Sequence, residues 1–391
     1  MTVAPQLLPV AAARTARADR LSSWMRHKGL DHLLLTAPDQ IRYATDYRAQ
    51  LVSESTDWYA AVVDADGEAE IFVPFTDHVM ERPEPAVDRL RRLHPAPSWA
   101  PAACQPRQWV TGLSVVLRAR GARRVGFDVL DAALLHDLWT DLPRLSFLPC
   151  AAELFTLRAV KDDSEIQLID IACRINTAAL DKAVQAAQPG MRDHDLLAVA
   201  AEHQHSLGAE FLTHSVCNIR KGSGSWFADG APLREGEPFF LDTGCHGPGG
   251  YASDAARTGF LGEPPPAVSR AWSHLLTAYE EGRNAARPGV RCSTVHDTMN
   301  AYLLRHDLPP TPYGTGHGVG LRCCELPSVN AATRMDTDDT LRVGHVIALE
   351  PETAVEVEGR LMVLKIEDNF AVTPSGLRCL TRATTSDDSA P

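Results

Sequence analysis

The sequence has 391 residues and a formal net charge of −12, with 45% hydrophobic and 23% charged residues. This length exceeds one ordinary hydrophobic core and predicts two domains, while the acidic balance excludes a typical nucleic-acid partner, which needs clustered Lys and Arg. No apolar run reaches the ~18 residues of a membrane helix, and the nine scattered Cys favour a reducing, cytoplasmic compartment over a disulfide framework.

The first part of the chain alternates between helix and strand patterns. Residues up to Ala13 form an Ala/Pro-rich lead that we expect to be loose, and the spacing of Leu21, Trp24 and Met25 predicts a helix over residues 14–28. The further expectations are a strand at 32–36, a hairpin over 60–73, a helix at 108–120 and a strand at 124–128. This alternation predicts an α/β domain over residues 1–156 that carries no catalytic constellation.

The second domain is predicted over residues 157–391. Asp163 or Ser164 is expected to cap a helix over 166–188, since short polar side chains satisfy the first free backbone amides. Later helices are predicted at 193–207, 269–285 and 294–306. The helix pairs are followed by pairs of strand patterns, and those strands hold the informative residues.

Two carboxylates lie on a predicted β-hairpin. The apolar run Pro238-Phe239-Phe240-Leu241 ends at Asp242, and a Gly-rich reversal leads to a second run that ends at Asp254. Carboxylates brought this close repel each other, so they usually share a proton, an Arg or a cation. On its own the pattern is also typical of a plain turn.

Three further residues of interest follow downstream. His317 is flanked by glycines, which allow backbone and ligand to approach closely, and Glu350 ends an apolar strand just before Pro351. Glu367 lies within an otherwise apolar strand, where a carboxylate costs several kcal/mol unless it is paired or bound to a metal. Carboxylate oxygens with one imidazole suit a pair of divalent ions such as Mn, Fe, Co or Zn.

In this order, the residues resemble the pita-bread metalloenzymes, the family of aminopeptidase P, prolidase, methionine aminopeptidase and creatinase. The matching stretches are Asp242, Asp254, Gly316-His317-Gly318, Glu350-Pro351 and Ile366-Glu367-Asp368, with further likeness at Leu157-Arg158-Ala159-Val160-Lys161. The resemblance implies an α+β chain with a C-terminal pita-bread domain and a smaller N-terminal α/β creatinase-like domain that caps the site or dimerises.

The same resemblance implies the roles of the five residues. Asp242 and Asp254 would bind one of two ions, Asp254 would bridge to the second, His317 and Glu350 would complete the second set, and Glu367 would bridge both. Glu350 would also take a proton from the attacking water. Creatinase, another member of this family, works without metal, so metal binding does not extend to every member.

The chain departs from the family pattern at several positions. Asp242 and Asp254 are twelve positions apart, one more than usual, which a longer turn or a bulge would absorb, and Cys324 and Ser225 stand where peptidases carry helper His residues. His214 or His246 would substitute from nearby. The candidates for substrate binding are His214, Arg220 with Lys221 and Trp226, Tyr251 and Cys324. The alternatives for these residues are solvated charge on a loop or packing in the core.

Three functions stay open at this point. The first is metal-dependent hydrolysis of a C–N bond in a small peptide or amino-acid-like amide, similar to Xaa-Pro peptidases, by a cytoplasmic homodimer that binds neither nucleic acid nor membrane. The second is other small-molecule chemistry on the same scaffold, such as elimination. The third is a non-catalytic binding module, which the five-ligand set disfavours because a binding surface does not need buried carboxylates.

Overall fold

The computed structural model describes residues 9–48, 59–74, 90–96, 106–218 and 227–381. Their contacts divide the chain into two compact units, one over Val10–Leu157 and one made chiefly of the residues that follow. Within the described residues, no helix combines the length and the apolar character needed to cross a lipid bilayer.

A mixed β-sheet forms the centre of the first unit. In the described residues it has six strands in the order β4-β3-β2-β1-β5-β6, and β5 and β6 extend it in parallel beside β1. Helices accompany this sheet, as the alternating sequence pattern predicted. The strands are β1 (His32–Leu35), β2 (Ala60–Asp64), β3 (Ala69–Pro74), β4 (Leu90–Ala96), β5 (Arg124–Phe127) and β6 (Ser146–Pro149).

The first unit buries both faces of this sheet. Side chains alternate along β1, so Leu34 packs into one apolar cluster while Leu33 and Leu35 pack into the other. The first helix begins earlier than predicted, because Ala13 is fully buried and extends its apolar face towards the N-terminus. The helices are α1 (Val10–Lys28), α2 (Pro38–Thr45), α3 (Pro106–Ala119), α4 (Ala132–Asp141) and α5 (Ala151–Ala159), the last ending just past the division between the units.

The second unit packs two pairs of helices against antiparallel strands. Leu180 and Leu196 from the first pair contact Phe239 and Leu241, and the second pair covers a cluster around Phe370. The helices are α6 (Asp163–Ala186), α7 (Asp193–Ser206), α8 (Pro266–Ala285) and α9 (Cys292–Arg305).

Three groups of strands complete this unit in the part of the chain that is described. One has the order β7-β8-β9, a second the order β11-β10-β12-β15-β16, and β13 pairs with β14. The strands are β7 (Phe211–Asn218), β8 (Pro238–His246), β9 (Ala252–Phe260), β10 (Gly316–Gly318), β11 (Glu325–Val329), β12 (Val346–Leu349), β13 (Glu352–Val357), β14 (Arg360–Lys365), β15 (Asp368–Thr373) and β16 (Gly376–Cys379).

Helix α6 begins at a different cap from the predicted one. Asp162, rather than Asp163 or Ser164, accepts hydrogen bonds from the amides of Ser164 and Glu165. The Glu165 carboxylate accepts a hydrogen bond from the amide of Asp162 in return, which completes a capping box. This reciprocal arrangement satisfies three backbone amides at once and explains why the earlier Asp takes the cap position.

Candidate metal centre

The hairpin of β8 and β9 brings Asp242 and Asp254 to one face of the sheet. Asp242 pairs with Ala256, and Asp254 pairs with Gly244, so the two carboxylates are diagonal neighbours. The pairing of β8 with β9 runs without a register shift, and residues 247–251 form the connection. The longer turn therefore absorbs the additional residue of spacing, and no bulge is needed between these two strands.

His317, Glu350 and Glu367 come from the neighbouring strands. His317 is the central residue of β10, which pairs with β12, and Glu350 follows the last residue of β12. Glu367 lies between β14 and β15, and not inside a strand as predicted, but an isolated bridge to Ala256 fixes its backbone against β9. Strand pairing alone thus carries all three towards the aspartates.

The five side chains converge. His317 Nε2 lies 3.5 Å from Asp254 Oδ2 and 3.5 Å from Glu350 Oε1. Asp242, Asp254 and Glu367 present ligand atoms within 4.8 Å of one another, and so do His317, Glu350 and Glu367. Hereafter the carboxylate centre means this set, Asp242, Asp254, His317, Glu350 and Glu367.

The carboxylate centre fits divalent cations. Glu367 is 1% exposed, and among the described residues neither of its oxygens has a hydrogen-bond partner. A buried carboxylate in this state costs free energy unless a cation compensates it. Oxygen donors with one imidazole are the ligands that Mn, Fe, Co and Zn accept, so the donor chemistry and the unsatisfied oxygens agree.

Lys365 is a member of the site that the sequence reasoning missed. Its Nζ lies 2.5 Å from Asp242 Oδ2, 2.9 Å from Glu350 Oε2 and 3.3 Å from Glu367 Oε2. Burial alone would lower the pKa of Lys365, but these carboxylates outweigh burial and hold it well above its usual value. The signal was present in the sequence, because residues two apart on an extended chain share a face and Lys365 precedes Glu367 by two.

His214, which was predicted to bind substrate, lies in direct contact with both aspartates. Its Nε2 is 2.9 Å from Asp242 Oδ1 and 3.2 Å from Asp254 Oδ1. A register shift in β7 between Leu212 and His214 turns the imidazole into the site. Gly244 makes room for it, since a Cβ there would lie 2.8 Å from His214 Cε1.

The electrostatics of the site follow from burial and these contacts. Burial would lower the pKa of His214, but Asp254 and Asp242 raise it well above its ordinary value. For Asp242, burial opposes ionisation while Lys365 and His214 favour it, and the net result is a lowered pKa. The pKa of Glu367 is instead raised, first by burial and then by repulsion from Asp254. Among these carboxylates, Glu367 is therefore the one whose charge the neighbouring cations do not compensate.

Two cysteines approach the site from the loop before β11. Cys323 Sγ lies 3.0 Å from Asp254 Oδ2 and 3.8 Å from His214 Nδ1. Cys324 is exposed and belongs to a group of potential ligands with Asp254 and His317. Core packing, one of the alternatives to substrate binding, is therefore wrong for the exposed Cys324, and both thiols are free.

The other substrate-binding candidates lie elsewhere. Tyr251 is buried and its hydroxyl donates to Glu165 Oε1 at 2.8 Å, and His246 Nδ1 lies 2.9 Å from the carbonyl oxygen of Gly250. Neither joins the ligand groups described above. Arg220, Lys221, Ser225 and Trp226 are outside the described residues.

Comparison with known proteins identifies both parts of the chain. The family model of metallopeptidase family M24 matches residues 167–374. The model of the creatinase/prolidase N-terminal domain matches residues 17–160.

Relatives match over much of the length. A probable dipeptidase PepE of Mycobacterium tuberculosis is 30% identical over 387 residues, which cover 94% of this chain and 92% of the relative. An Xaa-Pro dipeptidase of Pyrococcus horikoshii is 27% identical over 239 residues, which cover 58% of this chain and 63% of the relative.

Solved structures agree on the fold. An X-Pro aminopeptidase from Thermotoga maritima has a TM-score of 0.80 at 18% identity, over 94% of this chain and 98% of that chain. The predicted architecture, a C-terminal pita-bread domain with an N-terminal creatinase-like domain, is thereby confirmed.

Proposed function

The chain belongs to metallopeptidase family M24 and is a metal-dependent hydrolase, and from this premise we propose that it cleaves the C–N bond of dipeptides, Xaa-Pro dipeptides included. The observation that carries the proposal is the convergence of five side chains with unsatisfied buried oxygens on one site. The printed activities of the relatives, dipeptidase and Xaa-Pro dipeptidase, support a substrate of this size.

In this proposal the carboxylate centre holds two divalent ions. Asp242 and Asp254 would hold one ion, His317 and Glu350 would hold the other, and Asp254 and Glu367 would lie within reach of both. The overlap of the potential ligand groups supports this division, because Asp254 belongs to three of them and Glu367 to two. When bound, such ions polarise a carbonyl oxygen and acidify water near neutral pH.

The protein's own groups divide the remaining work. Glu350 accepts a proton from the attacking water. His317, whose Nε2 lies 3.5 Å from Glu350 Oε1, stabilises the charge that develops on the substrate. Lys365 holds Asp242 and Glu350 in place through its ammonium. Cys324, exposed beside His317, contacts the substrate where peptidases of this kind carry a His.

The remaining assignments extend the sequence predictions. Arg220 is proposed to bind the substrate carboxylate, since a guanidinium binds carboxylates through two parallel hydrogen bonds. Tyr251 is proposed to act through Glu165, which its hydroxyl contacts. A cytoplasmic location and a homodimer are proposed with them, and the free, mostly buried thiols support a reducing compartment.

The test compares metal content and turnover in two variants. Asp254→Asn should lose bound metal and lower kcat/KM for dipeptides on the order of 10³-fold, since loss of several kcal/mol of charge stabilisation has that effect on rate. Asp336→Asn, an exposed carboxylate, is the matched control and should behave like the parent. If the parent cleaves neither proline nor non-proline dipeptides with Mn, Co, Fe or Zn added, dipeptide hydrolysis is wrong.

A further inference from the structure

The strongest unexplained feature of the centre is the imidazole and thiol on one side of Asp254. We propose that His214, Asp254 and Cys323 form a mixed imidazole, carboxylate and thiolate ligand set for one ion, so that the centre selects Zn²⁺ or Co²⁺ over Mn²⁺. This inference rests on the metal centre proposed above and specifies which ion it prefers.

The geometry matches such a set. The potential ligand atoms of His214, Asp254 and Cys323 all lie within 4.8 Å of one another. Asp254 Oδ2 and Cys323 Sγ are 3.0 Å apart; His214 approaches Asp254 Oδ1 through Nε2 at 3.2 Å and the sulfur through Nδ1 at 3.8 Å. Ligand atoms around a tetrahedral zinc ion are separated by about 3.5 Å, given metal–ligand bonds of about 2.0–2.3 Å. One nitrogen of the imidazole binds the ion, and with one atom from each residue already within 4.8 Å of the others, coordination requires these atoms to adjust to that spacing.

The chemistry of the donors decides the metal. Thiolate and imidazole ligands favour Zn²⁺ and Co²⁺, whereas Mn²⁺ favours sites built from oxygen. When the ion binds, the thiol of Cys323 and the imidazolium of His214 each release a proton to solvent, and the sulfur and nitrogen lone pairs form the new bonds. No oxidant or reductant is involved, and the charge of the thiolate adds to that of Asp254.

An independent observation points to a cation at the same place. Glu367 belongs to a ligand group with Asp242 and Asp254, is 1% exposed, and has an Oε1 without a hydrogen-bond partner in the described part of the chain. An ion bound by Asp254 lies within reach of this carboxylate. The same ion would therefore satisfy the oxygen of Glu367 and the thiolate of Cys323.

The loop that carries Cys323 is held rigidly. Glu325, two residues later, accepts hydrogen bonds from Arg158 at 2.7 Å and from Lys161 at 2.6 Å, and all three side chains are at most 2% exposed. Gly320 lies against the same carboxylate, where a Cβ would approach Glu325 Oε1 to 2.1 Å. A ligand on a fixed loop loses little conformational freedom when it binds, which favours coordination by Cys323.

Cys324 provides the internal comparison. It is exposed, while Cys323 is partly buried with its sulfur directed at Asp254. The two cysteines are adjacent in the sequence, so a Ser substitution at either one perturbs the same loop. Cys379, in β16, belongs to none of the potential ligand groups and controls for the loss of a thiol.

The experiment is a titration of the full-length metal-free protein with Co²⁺, followed by absorption spectroscopy. The parent should show ligand-field bands together with a near-ultraviolet sulfur-to-cobalt charge-transfer band. Cys323→Ser should lose the charge-transfer band and keep cobalt, whereas Cys324→Ser and Cys379→Ser should retain the band. In competition, Cys323→Ser should weaken Zn²⁺ binding at least about 100-fold while changing Mn²⁺ binding less than about threefold.

Each other outcome overturns the inference in a distinguishable way. Cobalt bound by the parent without a charge-transfer band means that the metal centre exists but has no thiolate ligand. A band that disappears in Cys324→Ser and persists in Cys323→Ser means that the sulfur ligand is Cys324 and not Cys323. A parent that binds no cobalt, zinc or manganese overturns the metal centre itself, and the proposed function with it. The parent spectrum decides the first and last cases even if a variant does not fold.

Discussion

Two buried charge clusters in the second unit resolve the same physical problem in opposite ways. The anchor cluster, Arg158, Lys161 and Glu325, pairs one carboxylate with two cations, and each carboxylate oxygen has its own partner. The carboxylate centre gathers four carboxylates, and three of them, those of Asp242, Glu350 and Glu367, contact the ammonium of Lys365. The first cluster balances its carboxylate with its own side chains, and the second is the one that we propose to hold cations from solution.

The pKa shifts make the same distinction. Burial would raise the pKa of Glu325, but Lys161 and Arg158 outweigh it and the pKa is lowered. Burial also raises the pKa of Glu367, and there the neighbouring carboxylates add to the effect, so the pKa is well above its usual value. Charge removal should therefore destabilise the anchor cluster and stabilise the metal-free carboxylate centre.

The largest effect is expected in the anchor cluster. Glu325→Gln leaves two buried cations without their counter-charge, and breaking a buried pair in this way costs about 3–5 kcal/mol. Denaturant unfolding of the metal-loaded protein measures the loss. Glu356→Gln, an exposed position, should change stability little. A variant as stable as the parent would remove the contrast between the two clusters.

A smaller effect of opposite sign is expected at Glu367. In the metal-free protein at pH 8, Glu367→Gln should gain about 1–2 kcal/mol, because the raised pKa of Glu367 obliges the folded parent to hold a proton that the unfolded chain has lost, and the amide avoids this cost. Loss of the attraction to Lys365 offsets part of the gain. Thermal unfolding in the presence of a chelator measures it.

The metal-loaded protein should reverse that order. Free metal at 100 times Kd stabilises the parent by about 2.7 kcal/mol. Glu367→Gln lacks one of the metal ligands and should not gain this stabilisation. Glu263→Gln, exposed and remote from the ligand groups, is the control. A metal-free variant less stable than its parent would mean that Lys365 already balances the centre.

The smallest effect concerns His345, a buried group outside both clusters. Burial, then Arg342 and Lys161, lower the pKa of His345 to about 3. The unfolded chain therefore binds a proton that the folded state refuses, so stability is present above about pH 6.5 and falls as the pH decreases. Between pH 7 and pH 5.5 the loss attributable to this residue is about 1 kcal/mol.

His345→Asn keeps an acceptor for the amide of Arg342, which lies 3.3 Å from Nδ1. Its unfolding free energy should change less between the two pH values than that of the parent. His205→Asn, at an exposed position, should follow the parent. Equal pH dependence in all three proteins would show that His345 is not a source of acid sensitivity.

Much of the fold could be predicted from the sequence because the local signals agreed. Apolar periodicity predicted the helices, and two apolar runs around a Gly-rich reversal placed Asp242 and Asp254 on one hairpin. An apolar strand that ends at Glu350 and an apolar stretch that contains Glu367 likewise identified these residues, since a buried acid needs a compensating partner.

The remainder of the site depends on features that a single sequence encodes weakly. Lys365 is not a metal-binding residue type, so the ligand pattern did not identify it, although its spacing of two residues from Glu367 was informative. Cys323 reaches Asp254 through a loop between elements, and loop geometry has no periodicity to read. The orientation of His214 depends on a register shift in β7. Strand alternation alone, without this shift, places the imidazole on the wrong face.

That register shift has an evolutionary consequence. Thr213 is the extra residue at the shift, and His214 therefore lies opposite Gly244, on the face of the aspartates. If residues 211–214 paired without the shift, His214 would lie opposite Thr243 and its imidazole would turn to the other face, while the carboxylates on β8 and β9 kept their positions. A scaffold of this kind can therefore gain or lose a nitrogen donor through the register of one strand, and so change its choice of metal without rebuilding the hairpin that holds it.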